Sequence, residues 1–170
     1  VGVTIVSALA RSGPVATDMH SADLDRCGGF GGSPLRCPDA GAEGGMVDFI
    51  KACQKNGDTC GGVFTVVAKG LPVGLGSHTS WDRKLDGRVA AAMMSIQAMK
   101  GVSIGLGFDG AELPGSQAHD AIFYDDAEKQ FYRETNRAGG LEGGITNGMP
   151  LVAHVAMKPI STLARALGSV

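Results

Sequence analysis

The run TNRAGGLEGGITNG, Thr135 to Gly148, decides how the rest of the chain is read. Its fourteen residues hold five glycines, one Arg, one Glu and two Asn. A flexible linker uses Ser and Gly and little else. Here the glycines come in pairs, Gly139-Gly140 and Gly143-Gly144, with specific polar residues between them. Paired glycines permit positive φ and let the backbone approach another group closely. Successive backbone N–H groups in such a turn can form an anion-binding concavity, to which Arg137 can add a bidentate phosphate contact. A long hairpin-like connection without any ligand accounts for the same residues. The run has neither the G-x-G-x-x-G of a dinucleotide fold nor the Gly-Lys-Ser/Thr ending of a P-loop.

Downstream, Leu151, Ala153, Val155 and Met157 alternate with Val152, His154 and Ala156, the pattern of a strand buried on at least one face. Lys158-Pro159-Ile160-Ser161-Thr162 follows at once. A Lys and two hydroxyls at a strand end, stiffened by Pro, suit a phosphate cradle; a strand terminus with a surface Lys is the other reading. Upstream, Val63 to Ala68 is a β-branched strand. Leu85, Val89, Met93, Ile96 and Met99 trace one face of a helix that Gly101 would close, with a short strand from Val102. Gln97, in the last turn of that helix, can donate and accept at a heteroaromatic edge, or it is simply solvated. Met46 to Lys55 has helical spacing and Asn56-Gly57 as its stop. Residues 1–10 read as a strand, and residues 11–45, Gly- and Pro-rich around Gly28 to Gly32, as loop. The sum is a mixed layering of strands and helices.

At 170 residues the chain is expected to form a single domain, 1–170, large enough to bury a core. Fifteen Lys and Arg against 17 Asp and Glu give no basic face for nucleic acid or an acidic membrane. No apolar run reaches spanning length. The opening Val1-Gly2-Val3-Thr4-Ile5-Val6 reads as mid-strand and Leu167 to Val170 stops without a helix end, so the chain is expected to be an internal segment of a longer protein. Cysteines at 27, 37, 53 and 60 lack metal-site spacing and are expected as free thiols. His20, His78, His119 and His154 have no ligand spacing. His119 and Asp120 could orient one another, though each reads more readily as a surface residue, and no Ser-His-Asp or Cys-His constellation emerges.

Seven collinear stretches then combine: Gly57 to Val63 (GDTCGGV), Gly70 to Ser77 (GLPVGLGS), Trp81 to Asp86 (WDRKLD), Met94 to Val102 (MSIQAMKGV), Gly115-Ser116-Gln117, Thr135 to Gly148, and Met157 to Leu163 (MKPISTL). In this order and spacing they resemble the chorismate synthase family. The match is clear over residues 57 to 163 and looser before them, where Arg36-Cys37-Pro38-Asp39 is the recognisable point.

The resemblance implies an α+β fold, a β-α-β sandwich with helices between antiparallel sheets, and a cytoplasmic homotetramer. It implies conversion of 5-enolpyruvylshikimate 3-phosphate to chorismate by 1,4-anti elimination of phosphate, with reduced FMN required. It implies flavin contacts at Gln97, Ala98, Gly143, Lys158, Pro159, Ile160, Ser161 and Thr162, with Asn136 and Arg137 as neighbours. The family's catalytic histidines and phosphate-binding arginines match no position here, so this chain carries no assigned catalytic residue. Gly105-Leu106-Gly107-Phe108 stands where the family usually has Gly-Asp-Gly-Phe, and His119-Asp120-Ala121 where it has His-Asp-Glu. A non-catalytic flavin-binding or assembly fragment is the alternative.

Overall fold

The computed structural model describes residues 2–17 and 32–168. Expectations on Gly28 to Gly31, His20 and Cys27 lie outside these. Strands β1 (Thr4–Ser12), β2 (Val15–Ala16), β3 (Gly62–Lys69), β4 (Met99–Ile104) and β9 (Leu151–Met157) form one sheet in the order β2-β1-β3-β9-β4. Two antiparallel hairpins complete the described strands: β5 (Phe123–Asp125) with β6 (Gln130–Tyr132), and β7 (Leu141–Glu142) with β8 (Ile145–Thr146). The helices are α1 (Ala40–Lys55), α2 (Leu85–Met94) and the single turn α3 (Gly115–Ala118). The mixture is α+β, as expected.

The chain divides into two compact units. One comprises Val1–Ile5, Val67–Ala92 and Ser103–Ala153. Its core is Leu141, Leu151 and Ala153, with Ala68, Leu71, Leu85, Val89 and Ile104 packed against them. Both apolar residues that α2 brings to this core, Leu85 and Val89, are one turn apart, the spacing that puts them on one face. The second unit comprises Val6–Val66, Met93–Val102 and His154–Val170. Ala8, Cys37, Met46, Met99 and Val155 are buried there. Thr65 is buried too, and its hydroxyl lies 2.9 Å from His154 Nδ1, so a polar group inside the sheet is satisfied across strands.

The expected loop over 11–45 is interrupted, since β1 runs on to Ser12, β2 occupies Val15–Ala16 and α1 begins within it, and the limits of both long helices differ from those the sequence predicts. Helix α1 starts at Ala40, six residues before Met46. The cause is a cap: the Asp39 carboxylate accepts from Gly41 N at 2.8 Å and Ala42 N at 3.2 Å, and Glu43 stands in the first turn. That cap outweighs the low helix propensity of Gly41, Gly44 and Gly45. Helix α2 ends at Met94, short of the expected Gly101. Ala98 adopts φ +70°, which breaks the helix, and Met99 opens β4. The helical spacing of Ile96 and Met99 is therefore accidental: Ile96 is exposed and Met99 is buried in the sheet.

Met46 is fully buried on α1. Met46→Ala should lower the free energy of unfolding by about 2–5 kcal/mol, whereas Lys51→Ala, on the exposed face of the same helix, should stay within about 0.5 kcal/mol of the parent. Urea unfolding followed by circular dichroism measures both.

Candidate functional site

The glycine-rich run lies wholly in the first unit. It begins as a turn and ends as the β7–β8 hairpin, with Gly143 and Gly144 at the tip, both at positive φ (+62° and +88°). Leu106 N donates to Arg137 O at 2.9 Å, Gly105 N to Val152 O at 3.0 Å and Val152 N to Gly139 O at 3.0 Å. Backbone therefore lies on backbone: a Cβ on Gly139 would overlap Gly105 N, and one on Gly105 would overlap Arg137 O. Gly143 is different. A Cβ there would meet nothing within 4 Å. The hairpin tip is open on that side, and the tight turn itself needs positive φ.

The side chains explain the polar residues of the run. Asn136 is buried, donates to Pro150 O and accepts from Gly140 N, each at 2.8 Å. Thr146 is fully buried, donates to Pro72 O at 2.6 Å and accepts from Leu75 N at 2.9 Å. Glu142 accepts from Arg133 at 2.6 Å and from Asn147 Nδ2 at 3.0 Å. Arg133 is only 11% exposed, and its Nε is the one buried side-chain nitrogen or oxygen among the described residues without a hydrogen bond. A buried guanidinium N–H lacking an acceptor is costly unless something else supplies one.

The anion-binding concavity expected of the run exists, and the chain fills it itself. Asp120 is buried and accepts from Arg137 N at 2.8 Å, from Ala138 N at 2.9 Å and from the Thr135 hydroxyl. Burial alone would raise its pKa. The Thr135 hydroxyl, the two backbone N–H groups and the Arg137 charge outweigh that and hold the carboxyl below its ordinary range. The sequence reading of His119-Asp120 as a surface pair is thus half right: His119 is exposed, Asp120 is not. Two adjacent N–H groups in a Gly-rich turn, with an upstream Asp to receive them, were the available signal.

The second unit holds the other expected positions. Gln97 and Ala98 form the turn between α2 and β4, and Lys158 to Thr162 leaves β9. Lys158 N donates to Ala98 O at 2.9 Å, which joins two segments sixty positions apart in sequence. Gln97, Pro159, Ile160, Ser161 and Thr162 are exposed, and Lys158 and Ala98 half-buried. The left-handed backbone of Ala98 costs a residue with a Cβ about 1–2 kcal/mol. Such strain clusters at ligand clamps. Asn136, Arg137 and Gly143 belong to the first unit. Within the second unit, the Lys158 cation and the exposed Ser161 and Thr162 hydroxyls stand on one segment tied to Ala98, groups whose chemistry suits an anionic cofactor. No cluster of His, Cys, Asp or Glu able to hold a metal occurs among the described residues.

A family model described as chorismate synthase matches residues 1–170. A chorismate synthase of Desulforamulus reducens is 61% identical over 138 residues, 81% of this chain and 35% of its own length. Those of Desulforudis audaxviator and Geobacter sulfurreducens are 52% and 51% identical, over 100% and 99% of this chain and 44% and 45% of their own lengths. A crystal structure of chorismate synthase superposes with a TM-score of 0.85 at 43% identity, covering 92% of this chain and 50% of that one. The chain thus spans less than half the length of these curated relatives.

Because Asp120 is held below its ordinary range, the stability it contributes is fully present above the unfolded value of about 3.9 and is lost as pH falls through the lowered native value. Asp120→Asn should remove that acid-side loss and cost about 1–3 kcal/mol at neutral pH, through the Ala138 N–H left facing an amide NH2 in place of an acceptor. Unfolding free energy measured from pH 7 down to pH 3 checks both signs.

Proposed function

The chain belongs to the chorismate synthase family, and on that premise we propose that it is the flavin-holding portion of an enzyme that eliminates phosphate from 5-enolpyruvylshikimate 3-phosphate to give chorismate. The observation that carries the reading is the Lys158 N to Ala98 O hydrogen bond, 2.9 Å. It ties together the two segments in which seven of the eight proposed flavin contacts reside.

Reduced FMN would supply an electron-rich ring beside the carbon that loses phosphate. The work of this chain is to hold that ring. Gln97 offers an exposed amide, donor and acceptor at once. Ala98, fixed in its left-handed conformation, turns its carbonyl to Lys158. Lys158 brings a cation, Pro159 restricts the backbone, and Ser161 and Thr162 present hydroxyls to an anionic group. Gly143 leaves room at the hairpin tip, and Asn136 and Arg137 hold the loop behind it. The enzyme would act as a cytoplasmic homotetramer on this one phosphorylated substrate, without nucleic acid or membrane as partners. No described helix is long and apolar enough to cross a membrane.

One feature favours the alternative, an assembly fragment. The β5–β6 hairpin exposes Phe123, Tyr124, Phe131 and Tyr132, paired as a stack at 5.4 Å and an edge contact at 5.1 Å between ring centroids. Aromatic surface of this kind is what association buries. Light scattering on the eluting chain reads the assembly reading directly: a monomer at micromolar concentration counts against it.

Titration of the chain with FMN, followed by flavin fluorescence, should saturate. Lys158→Ala should weaken binding by about tenfold, ~1.4 kcal/mol. Gly143→Asn should weaken it as much while leaving the melting temperature almost unchanged, since Asn tolerates positive φ and meets no atom there. Binding that neither substitution alters would remove both segments from the site. For the full-length protein with reduced FMN bound, release of phosphate without chorismate would sink the proposed reaction. Ala98→Gly should raise stability by about 1 kcal/mol, as the left-handed strain is relieved, and loosen FMN.

A further inference from the structure

The stretch Gly57 to Val63, GDTCGGV, holds none of the proposed flavin contacts, yet it lies against the segment Lys158 to Thr162 that holds five of them. Both belong to the second unit. Past the end of α1, Asn56 N returns to Ala52 O and Cys53 O, Gly57 N to Gln54 O at 3.1 Å, and Asp58 N to Cys53 O at 2.9 Å. Gly57, at φ +67°, reverses the chain. The Asp58 carboxylate accepts from Thr59 N at 2.7 Å, so the backbone of Thr59 is fixed on its own helix end. Gly61 then passes the exit of β9 so closely that a Cβ would overlap Met157 O. Beyond β9 the chain forms neither helix nor strand as far as Gly168, and its course depends on isolated bonds. Lys158 N donates to Ala98 O at 2.9 Å, Leu163 N turns back to Ser161 O at 3.2 Å, and Arg165 N donates to Gly57 O at 3.0 Å. Pro159 has no N–H to give. Among the described residues, one hydrogen bond ties residues 159–162 to another part of the chain: the Thr59 hydroxyl donates to Ile160 O at 2.7 Å, across 101 positions.

We propose that Thr59 is a positioning residue for the cofactor segment: by holding Ile160 O, its hydroxyl sets where Ser161 and Thr162 present their own hydroxyls to an anionic group of the flavin. The proposal rests on the reading of Lys158 to Thr162 as flavin contacts, and Thr59 itself touches no cofactor in it. The residue type suits the work. A β-branched side chain is stiff at χ1, so a turn that fixes the Thr59 backbone also limits where its hydroxyl can stand. The cost of losing the bond falls on order rather than on stability. Ile160, Ser161 and Thr162 are exposed, so water can replace the Thr59 hydroxyl at Ile160 O. Without the bond, the ligand has to immobilise these residues itself, and binding carries that ordering cost. Affinity and stability therefore separate at Thr59, as they do not at a residue that only packs.

Two substitutions in the whole chain test this: Thr59→Val keeps the shape and loses the donor, and Thr59→Ser keeps the donor. In titration with FMN, Thr59→Val should bind about fivefold more weakly, with a melting temperature within about 3 °C of the parent. Thr59→Ser should restore the parent affinity. Added to Ser161→Ala and Thr162→Val together, Thr59→Val should cost little further affinity, because the hydroxyls it places are gone. Backbone nitrogen relaxation, measured by NMR without FMN, reads the hold itself. Residues 160–162 should be ordered in the parent, mobile on the nanosecond scale in Thr59→Val and ordered again in Thr59→Ser. Thr59→Ala is the second variant, should Thr59→Val not fold. Unchanged affinity and relaxation in Thr59→Val would overturn the proposal. So would an affinity loss that Thr59→Ser does not restore, or one that simply adds to the loss from Ser161→Ala and Thr162→Val. A parent chain that does not bind FMN removes the flavin reading instead, and the relaxation of Thr59→Val then decides alone whether Thr59 holds the segment.

Discussion

The structure around the glycine-rich run depends on a close approach of backbone to backbone. Gly105, Gly139 and the start of β9 exchange hydrogen bonds at 3.0 Å with no side chain between them. Peptide groups in such a place are shielded from water and must satisfy one another. That requirement selects glycine at 105 and 139 more firmly than any ligand would, since a Cβ at either would overlap backbone. The same loop then carries the chain into the β7–β8 hairpin, where Gly143 is glycine for another reason. There the space is open, and the backbone conformation accounts for it.

Electrostatics completes this scaffold from within. A Gly-rich turn with adjacent N–H groups attracts negative charge, and the chain supplies it in Asp120. Phosphate is thereby excluded from the nest at Arg137 and Ala138. Arg133 is committed as well, bonded to Glu142 and to Asn147 O through its terminal nitrogens while Nε stays unanswered. Charges near the run are mostly neutralised internally. A loop held by so many of its own contacts is preorganised.

Strands β3 and β9 were legible because alternation and β-branching report burial directly. So was the family, because seven weak motifs in one order exclude chance far better than any one. Helix limits were harder. Glycines at 41, 44 and 45 look like loop until Asp39 is seen to cap the N-terminus. Ile96 and Met99 continue a helical rhythm that Ala98 cuts, and nothing in alanine's propensity announces a left-handed residue. Contacts distant in sequence were the least visible. Asp120 reaches Thr135, Arg137 and Ala138 across 15 to 18 positions, and pairing it with adjacent His119 was the natural misreading.

Ala98 shows why such a departure from local preference persists. A left-handed alanine is less stable than glycine in the same place by about 1–2 kcal/mol, so the surroundings must over-determine it. Two constraints do so here. Met99 must enter β4 as a buried residue, which fixes the chain on one side. Lys158 N binds Ala98 O, which fixes it on the other. Glycine would satisfy both and relieve the strain, but would also let the turn sample other conformations. Alanine trades stability for a single geometry. That trade is reasonable only where the geometry has a use, and the segment that Ala98 locks is Lys158 to Thr162, the one that presents a cation and exposed hydroxyls together.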